Sequence, residues 1–338
     1  MKQLITALCL VWVMMTGCSK ENSDQFYPYP TTQIKDTIWY NVIPPNAAVL
    51  QLDTLFDKDP LVDSIDITMG GTLFFTDSFK IQVPPHFCQG PGGATLPSNA
   101  KIKIEVNHLA KKGDFIRFAR PTSSHDRALI TGGSAFIKAT YNGSEVSITP
   151  GASYNIRMRN KFSMTSPSND MKVFYGNENA NVPGGQNSFT WEPAPTPSQN
   201  GAANSLNIFV DSLGQSGYTL FPTRLRWVNC DYFSDTTQTR TRLAAHASSQ
   251  YTNTNTAVYV VFKTMDIVLR MNADAANRIF TTPNSVYVGK EVTIVALSKL
   301  DNKLYLSTET VTVTPNMAIR LSPVEKTKAQ IEAYLETL

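Results

Sequence analysis

The chain has 338 residues, room for two or three domains, and its 42% hydrophobic content is enough for a real core. The 30 Lys and Arg residues against 27 Asp and Glu give a net charge of +3. No block of Lys and Arg is present that could neutralise a row of phosphates, so nucleic acid is not an expected partner.

The N-terminus reads as an address. Lys2 supplies a positive start, and an apolar run follows from Leu4 to Met15, interrupted by Thr6. A helix needs about 20 apolar residues to span a bilayer, so this run has the length of a signal-peptide core. It ends in Met15-Thr16-Gly17-Cys18. Small residues before a cysteine at that place resemble the lipobox of bacterial lipoproteins. The resemblance implies a signal peptide over 1–17, cleavage before Cys18, a diacylglycerol on the Cys18 sulfur and acylation of the new amine. Ser19, standing where an Asp would retain the chain, resembles cargo passed on to the outer membrane. Lys20, Glu21 and Asp24 resemble the acidic export signal of Bacteroidetes-type surface lipoproteins. The expected location is therefore the outer membrane, lipid-anchored and at the cell surface. Several acyl chains make such an anchor durable, at roughly 0.8 kcal/mol per buried CH₂.

Residues 18–61 read as a lipidated tether and a first strand, with Pro28 and Pro30 favouring an extended form. From about residue 62 the apolar period is two. Phe79, Ile81 and Val83 alternate with Lys80 and Gln82; Ile102, Ile104 and Val106 alternate with Lys101, Lys103 and Glu105; Tyr154, Ile156 and Met158 alternate with Asn155, Arg157 and Arg159. Each stretch predicts a half-buried strand. Asn142-Gly143 predicts a two-residue hairpin turn, because both positions tolerate positive φ. These features give a β domain over 62–160.

Residues 161–222 are rich in Ser, Asn, Pro and Gly and predict an irregular connector carrying one or two strands. Phe162, Tyr175, Phe189 and Trp191 lie in it; they suit either packing or an exposed aromatic surface for a ligand. Strand patterns resume over 223–321, with Asp301-Asn302 as a hairpin turn, and seven or eight short strands predict an immunoglobulin-like sandwich. The last segment, 322–338, predicts a helix capped by Ser322, with Pro323 in its first turn, Glu325 completing a capping box, and an apolar stripe of Ile331, Tyr334, Leu335 and Leu338.

Several segments together carry a further resemblance: Gly70-Gly71-Thr72-Leu73, Phe79–Pro84, Lys101–Val106, Ile130-Thr131-Gly132-Gly133 through Pro150-Gly151, and Arg226-Trp227-Val228-Asn229-Cys230-Asp231-Tyr232-Phe233. They resemble a ZU5-like β domain as found in secreted Bacteroidetes lipoproteins. Val83 stands where Ile is usual, Arg226 where Gly is usual, and Tyr232 where Arg is usual. The fold class expected is all-β: two β-sandwich-like domains, the N-terminal one ZU5-like and the C-terminal one immunoglobulin-like, with a short C-terminal helix. In other settings ZU5 domains are protein-interaction modules, and a fold alone transfers no function.

Catalytic chemistry finds little support. His86, His108, His125 and His246 form no HExxH pair, and His86 with Cys88 lacks a second ligand pair for zinc. His125 and Asp126 are adjacent, and on a strand adjacent side chains point to opposite faces. The Asp residues at 53, 57, 59, 63 and 66 lack calcium-loop spacing and read as a solvated face. No phosphate-binding glycine loop occurs. No catalytic residue, metal or cofactor is therefore expected. Cys88 and Cys230, the two cysteines beyond the address segment, are either a disulfide or two buried thiols. The expected function is that of a lipid-anchored, non-enzymatic interaction or structural module whose partners are envelope proteins or glycans. A glycan-binding accessory lipoprotein of a nutrient-uptake system is the alternative, and an extracellular hydrolase the least favoured.

Overall fold

A computed structural model describes residues 38–160, 167–179, 189–195, 203–234 and 237–338. The fold is all-β, with three short α-helices among the described residues: α1 (Ala48–Leu55), α2 (Lys112–Arg117) and α3 (Lys328–Glu336). The first half is carried by β1 (Leu61–Asp66), β2 (Gly71–Thr76), β3 (Phe79–Val83), β4 (Lys101–Leu109), β5 (Arg127–Tyr141) and β6 (Asn155–Arg159). Next come β7 (Lys172–Asn177), β8 (Thr190–Pro193), β9 (Leu206–Val210), β10 (Ser216–Leu220) and β11 (Arg226–Phe233). The second half holds β12 (Leu243–His246), β13 (Thr256–Phe262), β14 (Val268–Arg270), β15 (Asn272–Asp274) and β16 (Ile279–Thr281). It ends with β17 (Glu291–Leu300), β18 (Lys303–Thr312), β19 (Met317–Arg320) and β20 (Val324–Lys326).

Four main sheets result. The first runs β1-β4-β5-β11-β7-β8, the second β9-β10-β6-β3-β2, the third β14-β13-β17-β18-β20 and the fourth β15-β16-β12-β19. Period-two patterning dictates how they stack. Ile102, Ile104, Val106 and Ile137 of the first sheet meet Phe79, Ile81, Ile156, Tyr218 and Leu220 of the second. The other face of the first sheet, with Phe136, Phe174, Trp191 and Trp227, meets Tyr259, Val261, Val295 and Leu297 of the third. The helices fill this middle layer through Val49, Leu52, Phe115, Ile331 and Leu335. The far face of the third sheet packs Val258, Val260, Phe262 and Ile294 on Leu243, Ala245, Phe280 and Ile319 of the fourth. β5 and β13 thus lie in sheets covered on both sides, which is why they read as nearly continuous apolar runs.

The turns follow local chemistry. Asn142 and Gly143 join β5 to the short strand Ser144–Glu145 at φ of 48° and 79°, and Asp301 and Asn302 join β17 to β18 at 50° and 62°. Both pairs have the left-handed backbone that a two-residue hairpin requires. One close approach demands a glycine: a Cβ on Gly113 would lie 1.8 Å from the Leu335 carbonyl oxygen. This is how α2 and α3 come close enough to share the middle core.

Three expectations are corrected. The boundary at 222 does not separate two sheet systems, because β11 pairs with β5 and β7 and lies inside the first sheet. Nor is 161–222 an irregular link, since β7 to β10 complete both sheets of the first sandwich. The terminal helix starts later than the Ser322 pattern suggested. Val324–Lys326 pairs with Leu304–Leu306 as an edge strand. Thr327 is the cap: Thr327 Oγ1 accepts from the Gln330 amide at 3.2 Å, and Gln330 Oε1 accepts from the Thr327 amide at 3.0 Å. Strand pairing outweighs the first capping signal, and a second one three residues before Gln330 takes its place.

Candidate ligand-binding groove

The outward face of the second sheet carries an open binding geometry. On β3, β6 and β10 the inward positions are apolar, and Lys80, Gln82, Asn155, Arg157 and Thr219 point the other way. Register aligns these positions into one row. Phe74 lies opposite Lys80, Lys80 opposite Arg157, Arg157 opposite Thr219, and Thr219 opposite Asn207.

Two aromatic rings frame the row. The Lys80 ammonium lies 5.4 Å from the centre of the Phe74 ring, and the Arg157 guanidinium 3.7 Å from that of Phe209. Such contacts are worth about 0.5–1 kcal/mol at exposed sites. Gly217, on β10, is what lets Phe209 lean over the sheet. A Cβ there would stand 2.8 Å from Phe209 Cζ and 2.2 Å from the Met158 carbonyl oxygen. The loop after β9 closes one end. Asp211 Oδ1 accepts from the amides of Leu213 and Gln215, both at 2.9 Å, and Asp211 Oδ2 accepts from Arg159 Nη2 at 3.0 Å. The Gln215 amide first, then those of Leu213 and the Arg159 charge, hold this carboxyl below its ordinary range.

These side chains enclose an open groove of about 760 Å³. On its rim Phe74 is 71% exposed and Leu213 75%. Large apolar side chains gathered in one exposed place, beside charge, mark interaction surfaces. Arg159 is neutralised by Asp211 at 3.0 Å, whereas Lys80 and Arg157 have no carboxylate within ion-pair reach among the described residues.

The aromatic residues singled out from the sequence do not form this surface. Phe162 lies outside the described residues, as does Cys18. Tyr175, Phe189 and Trp191 are buried, at 6%, 5% and 0% exposure, which corrects the idea of a ligand platform in 161–222. The reason is that β7 and β8 belong to the first sheet, with neighbouring layers on both faces. Trp191 Nε1 donates to the Pro121 carbonyl at 3.0 Å, and the Tyr175 hydroxyl donates to Asn204 Oδ1 at 2.6 Å. Cys88 and Cys230 are both buried free thiols, so the disulfide alternative is set aside. The groove residues had a signal of their own: Phe74 and Phe209 are aromatics on the polar parity of alternating strands.

Other polar clusters tie the layers together, some at the surface and some in the core. Glu178 collects Arg120 Nη2 at 3.3 Å, Arg226 Nη2 at 2.7 Å and Trp227 Nε1 at 3.3 Å. The Arg120 guanidinium lies 4.5 Å from the Phe189 ring and 4.8 Å from that of Trp227. Within β11, Asn229 Nδ2 donates to Asp231 Oδ2 at 2.6 Å, and the Thr131 hydroxyl donates to Asn229 Oδ1 at 3.2 Å. Complete burial pushes the Asp231 carboxyl well above its usual range, against the lowering pull of its Thr131 and Asn229 hydrogen bonds. The Asp53 side chain is not on a solvated face, because Arg270 Nη1 pairs with it at 2.8 Å. Among the described residues no group of three or more His, Cys, Asp or Glu is placed to hold a metal, and no helix is long and apolar enough to cross a membrane.

No protein-family model matches the chain, and no curated protein matches it.

Proposed function

We propose that this chain is a lipid-anchored cell-envelope protein whose β stack is a non-enzymatic interaction module, docking a partner on the outward face of its second sheet. Acyl chains on Cys18 hold it at the outer membrane, and the ZU5-like resemblance of the first half suits an interaction role. The observation that carries the proposal is the Phe74–Lys80–Arg157–Phe209 assembly: exposed apolar surface beside two cations that have no ion-pair carboxylate among the described residues. A second role, that of a glycan-binding accessory lipoprotein in nutrient uptake, draws on the same groove, because flat rings beside amide side chains suit sugars.

The test uses the full-length protein on intact cells with a photo-crosslinking residue in place of Leu213, and a control with the same residue in place of exposed Glu309 on β18. Labelled palmitate is expected on the protein and absent from Cys18→Ala, and an adduct is expected at 213 and not at 309. Equal labelling of the Cys18→Ala protein, or no adduct at 213 beyond the control, overturns the proposal.

A further inference from the structure

We infer that the groove takes an acidic polysaccharide, with its carboxylate or sulfate groups on Lys80 and Arg157 and its sugar rings against Phe74 and Phe209. The inference rests on the docking role proposed above and names its partner. It begins from an unfavourable pair. Lys80 and Arg157 are directly opposed on antiparallel strands, a register that sets Cβ atoms about 5 Å apart and makes like charges repel. Both are half-buried, and neither has a carboxylate within ion-pair distance among the described residues; of the two carboxylates that line the groove, Asp211 pairs with Arg159, and Asp77 forms no ion pair with Lys80 or Arg157. Each cation leans onto its own ring, Lys80 onto Phe74 and Arg157 onto Phe209. An anion seated between them removes the repulsion and gains two charge-assisted contacts, one of them from a planar fork suited to carboxylate or sulfate.

The shape selects a chain over a small ion. The row crosses five strands, and at roughly 4.8 Å per strand it is about 19 Å long. Two isolated charges are too few for a nucleic-acid backbone, which needs a series of phosphate contacts. A sheet face offers no free main-chain groups, so a peptide cannot add to it as a strand. What the groove does offer is the Phe74 and Phe209 rings beside the two cations, and the same outward face continues past them in Thr219 and Asn207 on one side and in the Gln82–Asn155 pair along the strands. Asn155 Nδ2 donates to Gln82 Oε1 at 3.3 Å, which leaves further amide hydrogens for sugar hydroxyls.

The experiment is calorimetric titration of the full lipidated protein in neutral detergent with oligogalacturonate, its neutral methyl ester, a heparin-derived oligosaccharide and anionic phospholipid vesicles. Binding of the uronate or the sulfated probe is expected, at least about tenfold tighter than the ester and weakening with salt. Lys80→Ala with Arg157→Ala is expected to abolish that binding without lowering Tm, because it also removes the opposed charges. Equal binding of the ester, no binding of either acidic probe, preference for vesicles, or an unaffected double variant overturns the inference. If the acidic probes fail while the adduct at 213 persists, the docking role stands and the partner is of another chemistry.

Discussion

Arg270 Nη1 lies 2.8 Å from Asp53 Oδ1 and ties the end of β14 to helix α1, with both side chains mostly buried. The guanidinium Nε and Nη2 have no hydrogen-bond partner among the described residues. Desolvation dominates at Asp53 and raises its carboxyl above the ordinary value despite the Arg270 charge. A buried pair of this kind is weak as a source of stability, but removing one partner strands the other. Asp53→Ala is expected to lose about 3–5 kcal/mol in urea unfolding. Asp53→Leu combined with Arg270→Met is expected to recover most of that loss. A double variant no better than the single would show that the helix is held by something else.

Arg226 adopts a φ of 71°, in the left-handed region, at the position where the resemblance expects glycine. That conformation costs a non-glycine residue about 1–2 kcal/mol. Its returns are the ion pairs with Glu178 at 2.7 Å and Glu145 at 3.6 Å and the Phe136 ring 5.3 Å away, which on a half-exposed side chain are together worth about 1–2 kcal/mol. Arg226→Gly is therefore expected to leave the urea midpoint nearly unchanged. Glu178→Ala is expected to lower the unfolding free energy by roughly 1.5–3 kcal/mol, because Arg120, held between Phe189 and Trp227, then loses its ion-pair carboxylate and keeps only the longer-range attraction of Asp53 and Asp57.

Stability in acid is expected to depend on Glu336. Its carboxylate accepts from Lys58 at 2.8 Å, Lys111 at 3.1 Å and Arg117 at 3.0 Å. These contacts, Lys58 first, lower it from 4.5 to about 2. The folded chain thus keeps the charge that the unfolded chain gives up near 4.5, so the stabilisation is present above that value. It is lost as pH falls from 4.5 towards 2. Urea midpoints measured across that window should fall more steeply for the native chain than for Glu336→Gln. Parallel slopes would remove Glu336 from the account.

The thiols give a simple chemical check. Burial pushes the Cys88 thiol up to about 12 and the Cys230 thiol well above its ordinary value. Neither is expected to react with an aromatic disulfide reagent until the chain unfolds, and a reductant is expected to leave Tm unchanged. A reductant-dependent Tm would mean that the two are joined after all.

Local chemistry was legible in the chain wherever it acts over a few residues. Alternation along Phe79–Val83 and Tyr154–Arg159 assigned strands and put Lys80 and Arg157 on their polar faces, and Asn142-Gly143 and Asp301-Asn302 carried their turns. The Pro323 and Glu325 signal failed because a competing interaction, pairing of Val324–Lys326 with β18, comes from a distant segment. Tyr175 and Trp191 were ambiguous for the same reason: an aromatic on a strand is core or surface according to what lies over it.

By itself, then, the sequence determined an all-β chain, its principal turns, its alternating faces and an N-terminus resembling a lipoprotein address. These depend on backbone preference and side-chain period, which neighbouring residues set. Only the tertiary structure decided that β11 lies in the first sheet, that Cys88 and Cys230 remain thiols, and that Phe74, Lys80, Arg157 and Phe209 share one groove. Those outcomes depend on which strands lie side by side, and pairing over a hundred residues of chain is a balance of burial over whole layers that no local pattern encodes.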